Sequence, residues 1–525
     1  MKRPFHGLRQ APDACYDAII IGAGIGGLIT ANLLARQGLK VLLVEQHYMV
    51  GGYCSTFRRA GYTFDAATHF YPLLGNPETL TGRLLAELGV TTGWVKMDPV
   101  DTFHFPDGTR FTVPADFDTY ITRLKAEFTH EAAALDAFFA AVRETYLLGL
   151  LHYFRGRPLA QLDRLVPYHD LTVHQALDRW FRDPKLKLLL TADCPHWGSP
   201  PGRTSFVFDS MLRLSYFLGN YYPKGGSQAF ADALAQRFEE QGGHVLISTA
   251  ARKIVIEKGA ARGVELEAVR GPRNGETVFV KSGTVISNAD LLLTLEHMIG
   301  VENLDAGAVD ALRSMRSLRP TFPCFLIHIG TTGIPDEVLD DVQGYYWDSW
   351  EMDRVGIDAL RFKIFAPTLY EPAMAPPGGQ VVIVQKVLEM DYAALSAADW
   401  PAHKQRIEDF AFAHLEKLIP GFASRVVVKT SATARTSHRF TLNHQGAMLG
   451  WEMSPEQLGA RRPDIAGAAG DIRNLHFVGH WTRPGGGITP VIVSAQQVAA
   501  AVIQGKKQDF AAPMEEPCSR TIATS

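Results

Sequence analysis

Three glycines spaced Gly22-x-Gly24-x-x-Gly27, with Gly26 beside the last, and an acid at Glu45 are the residues whose types and spacing point most directly to chemistry. Tyr16 to Ile21 before them is a β-branched apolar run of the kind that fills a buried parallel strand. Leu28, Ala31, Leu34 and Ala35 then recur at helical spacing up to Gly38, and Lys40 to Val44 form a second apolar strand ending at Glu45. The order is that of a βαβ unit. In such a unit Gly22 permits the tight turn, Gly24 lets the backbone approach a pyrophosphate and Gly27 lets the helix pack closely, while the helix N-terminus offers free N–H groups to the phosphates. Glu45, about 20 residues on, suits a ribose diol and disfavours a 2′-phosphate, which leaves NAD or FAD. Gly51-Gly52, followed by Ser55 and Thr56, adds a second close backbone approach that suits the longer FAD. Arg58 and Arg59 either add positive charge there or form a solvated basic turn.

The elements that position this loop extend along the chain. Tyr222-Pro-Lys-Gly-Gly-Ser227 opens an amphipathic helix through Phe238, followed by a strand from His244 to Ser248. Short strands are expected at 252–256, 263–266 and 278–280, with a turn at Arg273-Asn274-Gly275, leading into Thr284-Val-Ile-Ser-Asn-Ala-Asp290. Near the end, Leu475 to Val478 reads as a strand, followed by Gly479, Pro484-Gly485-Gly486-Gly487 and a helix from about Thr489 to Ile503. This second strand, glycine loop and helix would point a helix N-terminus at the isoalloxazine edge, where negative charge gathers on reduction. An ordinary glycine-rich turn is the alternative. No serine–histidine–acid arrangement, metal-ligand spacing or triphosphate loop accompanies these motifs, so the chemistry is expected to be flavin-centred with no assigned catalytic side chain.

These stretches carry a resemblance. DAIIIGAGIGGLITANLLARQGLKVLLVEQ with GGYCSTF, then YPKGGSQAFADALA, VISNAD, APTLYEPAMAPPGG, LIPGF and NLHFVGHWTRPGGGITPVIVSA occur in an order similar to that of the phytoene desaturase, carotenoid isomerase and retinol saturase superfamily. The resemblance covers nearly the whole chain. It implies an α/β fold: a Rossmann-type FAD-binding domain, glutathione-reductase-like, with a mixed α+β substrate domain inserted. The implied division is FAD-binding segments at 16–100, 221–292 and 467–505, a helical substrate or membrane-contact segment at 101–220, a sheet with helices at 293–466, and a flexible tail at 506–525. Gly22, Gly24, Gly27 and Glu45 would bind the ADP part, with Gly26 in the same loop. Gly51, Gly52 and Ser55 would approach the cofactor, and Gly479 with Gly485, Gly486, Gly487 and Ile488 would face the flavin. The sequence departs from many relatives at His480, where they carry an acid, and at Tyr53, where they carry arginine.

Ala132 to Phe154 is a long helical pattern with few charges, and Phe206 to Tyr222 is rich in Phe, Tyr and Leu. Together they suit a tunnel for a long apolar substrate, or the ordinary core of a substrate domain. Arg155 and Arg157 after the first helix would also fit peripheral contact with a membrane surface. Thr321 to Gly330 and Val381 to Val387 read as buried strands under the flavin, and His328 on the first could reach it or be a satisfied core residue. The expected activity is oxidation, reduction or isomerisation of a polyene of carotenoid or retinoid type. A flavin amine oxidase would instead need an aromatic cage, for which Trp197, Tyr345, Tyr346, Trp347 and Trp350 are the candidates. A prenyl-binding protein on the same fold is the non-catalytic alternative.

The length of 525 residues allows two or three domains, and 46% apolar with 20% charged residues fits a globular enzyme. A net charge of −3 gives no field to attract nucleic acid. Five widely spaced cysteines without a C-x-x-C pair suit incidental thiols in a reducing compartment. The N-terminus lacks a signal-peptide core and no run of about 18 uncharged apolar residues stands out, so a cytoplasmic protein is expected.

Overall fold

Ala18–Ile21 is apolar at every position because a central parallel strand is covered on both faces. It lies between Val41–Val44 and Val285–Ser287 in a five-stranded sheet, flanked by His244–Leu246 and Leu475–Phe477, with every pairing parallel. The register sets Ile21 beside Val44 and Ser287, and Ser287 beside Phe477. Three neighbouring strands therefore end at one level. The residues that follow, Gly22, Asn288 and Gly479, gather at their carboxyl ends, where open α/β sheets bind ligands. The computed structural model describes residues 13–509 except 68, 192–197, 357, 358, 360, 390, 391 and 459–471.

Helix Ile25–Ala35 is buried at every residue but Leu33, because it is sandwiched rather than laid on a surface. Leu28, Ala31 and Leu34 share one core with Phe230 and Leu234 of helix Ser227–Glu240 and with Ile492 and Ala495 of helix Ile488–Asp509. Contrary to the expectation from sequence, Ile488–Gly505 is long and apolar enough to cross a membrane. Ile492, Ala495, Ala499 and Val502 on it are buried in that core. The helix also runs through Asp509, into the stretch expected to be tail. Cys54 and Cys324 are buried and outside any disulfide, whereas Cys15 is disulfide-bonded, which corrects the reading of all five cysteines as incidental thiols.

A second sheet has seven strands in the order Val426–Ala432, Cys324–Thr332, Gly379–Val387, Arg361–Phe365, Gly344–Trp347, Asp101–His104 and Arg110–Val113. The last two lie in the segment expected at 101–220 as helical: it begins with a hairpin around Asp107-Gly108 that extends this sheet, and the helices follow. Alternation along Thr102-Phe-His-Phe with the Asp-Gly turn is a hairpin signal in the sequence. Helix Ala132–Gly149 continues through a π-helical turn, Leu150–Phe154, and packs along helix Phe206–Phe217. Apolar residues of both helices close over the sheet.

Candidate functional site

A cavity of about 660 Å³ runs from the carboxyl ends of the parallel strands to the space between the helix pair and the seven-stranded sheet. Gly22, Gly24, Gly26, Glu45, Gly51, Gly52, Ser55, Gly479, Gly487 and Ile488 all line it. Gly27 stands behind the loop, where an added Cβ would lie 2.1 Å from the Gly22 carbonyl oxygen. Gly485 and Gly486 are not among the lining residues. A Cβ on Gly486 would lie 2.1 Å from the Leu449 carbonyl oxygen, so this glycine admits a neighbouring backbone rather than a ligand.

The first loop is organised by two side chains. Glu45 accepts the Ala23 N–H at 2.8 Å on one carboxylate oxygen and the His47 N–H at 2.8 Å on the other. Burial raises its pKa and these backbone donors oppose the rise. Each oxygen retains a lone pair for a diol. Asn288, from the middle of the chain, donates its Nδ2 to the Gly22 carbonyl at 3.2 Å. Its Oδ1 lies where a Cβ on Gly26 or Gly479 would come within 2.5 or 2.7 Å, so the glycines of two segments close on this one amide. Sequence reasoning quoted the surrounding motif without giving Asn288 a role. The second glycine pair docks on the first loop through the Gly51 N–H, which donates to the Ala23 carbonyl at 2.8 Å. Gly51 adopts φ +113°, and Gly52 sits 3.4 Å, measured from its absent Cβ, from the Gly24 Cα.

The donor set fits a flavin dinucleotide. Helix Ile25–Ala35 begins at Gly24 without a side-chain cap, and Gly24, Ile25 and Gly26 at this uncapped end line the cavity. At the other end Thr489 Oγ1 is buried with no hydrogen-bond partner among the described residues, on the first turn of helix Ile488–Asp509, where Ile488, Thr489 and the preceding Gly487 line the cavity. Sequence reasoning missed this hydroxyl. His480, one of the two departures noted in the sequence, contacts Asn443 Oδ1 at 3.1 Å, and burial pushes its pKa down to about 4, leaving it neutral near pH 7. Tyr53, in place of arginine, donates to the Ala447 carbonyl at 2.9 Å. Of the two arginines only Arg59 lines the cavity.

The far part of the cavity is mostly apolar on its helix side. Phe70, Leu150, Phe154, Phe208, Met211 and Tyr216 line it. Its floor is the sheet, at Cys324, His328, Gln385 and Thr430 to Ala432. His328 is 1% exposed, its Nε2 is 2.9 Å from the Asp65 carbonyl oxygen, and burial lowers its pKa to about 4. It is a neutral, hydrogen-bonded wall residue. Tyr345, Tyr346 and Trp347 are strand residues that pack against Phe103, His104, Phe105 and Phe362, and neither they nor Trp350 lines the cavity. Trp197 lies outside the described residues.

With this geometry, residues 25–503 match the model of the flavin-containing amine oxidoreductases. The chain belongs to that family. It is 28% identical over 516 residues to prolycopene isomerase 1 of an Oncidium hybrid cultivar, covering 92% of this chain and 84% of the relative. It is 26% identical to the zeta-carotene-forming phytoene desaturase of Myxococcus xanthus, with 91% and 92% covered, and 25% identical to the all-trans-retinol 13,14-reductase of Rattus norvegicus, with 88% and 82% covered. Among solved structures, an oxidoreductase from Methanosarcina mazei superposes with a TM-score of 0.63 at 17% identity, over 92% of this chain and 99% of that one. Putrescine oxidase bound to putrescine superposes with a TM-score of 0.62 at 15% identity, over 93% and 99%. The protein is thus an FAD-dependent oxidoreductase of the superfamily that includes the carotenoid desaturases and isomerases, with a Rossmann-type FAD-binding fold.

Proposed function

We propose that this enzyme acts on a long apolar polyene of carotenoid or retinoid type. The observation that carries the reading is the continuity of one cavity from the glycine loops to a wall formed, among the described residues, by Phe70, Leu150, Phe154, Phe208, Met211 and Tyr216. A hydrocarbon offers nothing to hydrogen-bond, so this wall orients it by shape and excludes water. The flavin supplies hydride exchange at N5, for desaturation, saturation or isomerisation without net redox. The chain's own residues hold and position. Gly22, Gly24 and Gly26 admit the pyrophosphate, Glu45 holds the adenosine ribose, Gly51, Gly52 and Ser55 flank the dinucleotide, and Gly479, Gly487, Ile488 and Thr489 face the flavin. The cofactor part would comprise 16–100, 221–292 and 467–505, and the substrate part 101–220 and 293–466. The relatives named for carotenoids and retinol support the substrate class, and the absence of the four described candidate cage aromatics from the cavity disfavours an amine.

Access from a lipid surface belongs to the same proposal. Leu147 is 61% exposed one turn before the cavity-lining Leu150, and Arg155 and Arg157 are exposed just beyond. Expression in a strain that accumulates polyene precursors tests the substrate class, with pigments separated by chromatography and weighed by mass spectrometry. A change of two hydrogens per step marks desaturation or saturation, and a retention shift at constant mass marks isomerisation. No altered pigment despite bound FAD overturns the polyene reading.

A further inference from the structure

Two buried charged pairs stand behind the apolar half of the cavity among the described residues: Asp209 with Arg213, within the lining helix Phe206–Phe217, and Lys363 with Asp101, which faces Gln385 and Phe70. Lys363 is 2% exposed, and its Nζ donates to Asp101 Oδ2. That Nζ also stands 3.6 Å from the centroid of Phe70 and 4.5 Å from that of Tyr345. Phe70 lines the cavity, so only the thickness of one ring separates the ammonium from it. Gln385 is the second divider. It is paired directly opposite Lys363 in the antiparallel sheet, which places both side chains on one face. Gln385 lines the cavity and also a void of about 20 Å³ that it shares with Lys363 and Tyr345. Phe70 and Tyr216 line the cavity and a second void of about 20 Å³ that reaches Asp101. Each void has room for about one water-sized group. A pair this deeply buried costs desolvation that an apolar pair of the same size would not incur, and here it adjoins the one wall a hydrocarbon would prefer fully apolar.

We propose that Gln385 and the Lys363–Asp101 pair form a polar receptor for an oxygen-bearing end of an otherwise apolar polyene. The inference rests on the polyene reading and narrows it to chains with a hydroxyl or carbonyl at one end. Asp101 already neutralises Lys363, so the receptor suits an uncharged oxygen that the Gln385 amide can bond. A site built to bond a substrate oxygen discriminates against the analogue that lacks it, because its buried polar groups are then left unpaired.

The test uses the flavin-loaded enzyme and a matched ligand pair: a polyene alcohol, and the hydrocarbon in which a methyl replaces the terminal hydroxymethyl, at a short and a long chain length. Dissociation constants are measured for the wild type, for Gln385→Leu and for the double variant Asp101→Leu/Lys363→Met, with flavin content and melting temperature recorded for each. The wild type is expected to bind the alcohol about tenfold more tightly at one of the chain lengths, and the ratio to fall to about one in both variants. Equal affinities in the wild type, or a preference that survives in both variants, overturn the receptor and leave the polyene reading standing. Binding of neither ligand at either length overturns both.

Discussion

The substitution Gly27→Ala tests how the phosphate loop is held. The added Cβ would lie 2.1 Å from the Gly22 carbonyl oxygen, whereas a carbon–oxygen contact needs about 3.3 Å. Something must move by roughly 1 Å. The helix carrying residue 27 is locked between Phe230 on one side and Ile492 on the other, so the displaced group is the Gly22 turn. That turn lines the cavity and takes the Asn288 amide with it. Overpacking of this kind costs about 1–3 kcal/mol, which, falling on the cofactor-bound state, corresponds to FAD binding weakened roughly 5- to 150-fold. The assay is titration of apoenzyme with FAD followed by flavin fluorescence, with Gly505→Ala as the control, since its Cβ meets nothing within 4 Å. An unchanged FAD affinity in Gly27→Ala refutes the account of the loop.

Further outcomes follow from the same geometry. Gly24→Val should abolish flavin retention by placing a side chain in the pyrophosphate's space, read as the flavin-to-protein ratio after purification; full occupancy would displace the pyrophosphate from that site. Asn288→Ala removes the bond to the Gly22 carbonyl and should weaken FAD binding by roughly 2- to 13-fold, checked in the same titration. Met211→Trp fills the apolar half of the cavity and should suppress polyene binding while flavin content stays at the wild-type level. His328 has a folded pKa of about 4, below its unfolded value, so the unfolded chain binds the extra proton between about pH 6.5 and 4 and stability falls as pH drops through that window. Buried Glu45, Asp65 and Asp290, whose values are raised, act in the opposite sense. The difference between wild type and His328→Gln isolates the histidine: from pH 6.5 to 5 the wild type should lose up to about 2 kcal/mol more by denaturant unfolding, and parallel profiles would contradict a buried neutral imidazole.

The βαβ unit was legible because everything it needs is local: strand, glycines, helix and Glu45 follow one another within about 30 residues. Asn288 was not, since its contact with Gly22 exists only once the parallel register sets Ser287 beside Ile21. Gly485 and Gly486 were expected at the flavin on the strength of a glycine run, but a run does not say which member faces a ligand and which admits a backbone such as that of Leu449. The hairpin at 101–113 was obscured by the long apolar helices that follow it, although its Asp-Gly turn is in the sequence. Tyr345, Tyr346 and Trp347 resemble a cage in one dimension and become sheet packing in three, because alternate residues of a strand point to opposite faces.

The central claim joins a cofactor and a substrate, so the decisive measurement observes both. The purified flavin-loaded enzyme is mixed anaerobically with a polyene, in its oxidised and its reduced form in separate reactions, while flavin absorbance and pigment composition are followed together. Conversion of the pigment is predicted, with flavin reduction accompanying loss of two hydrogens, flavin oxidation accompanying their gain, or a geometric isomer forming with the reduced enzyme unchanged. Unaltered pigment in both reactions, with flavin reduction by an amine instead, would contradict it.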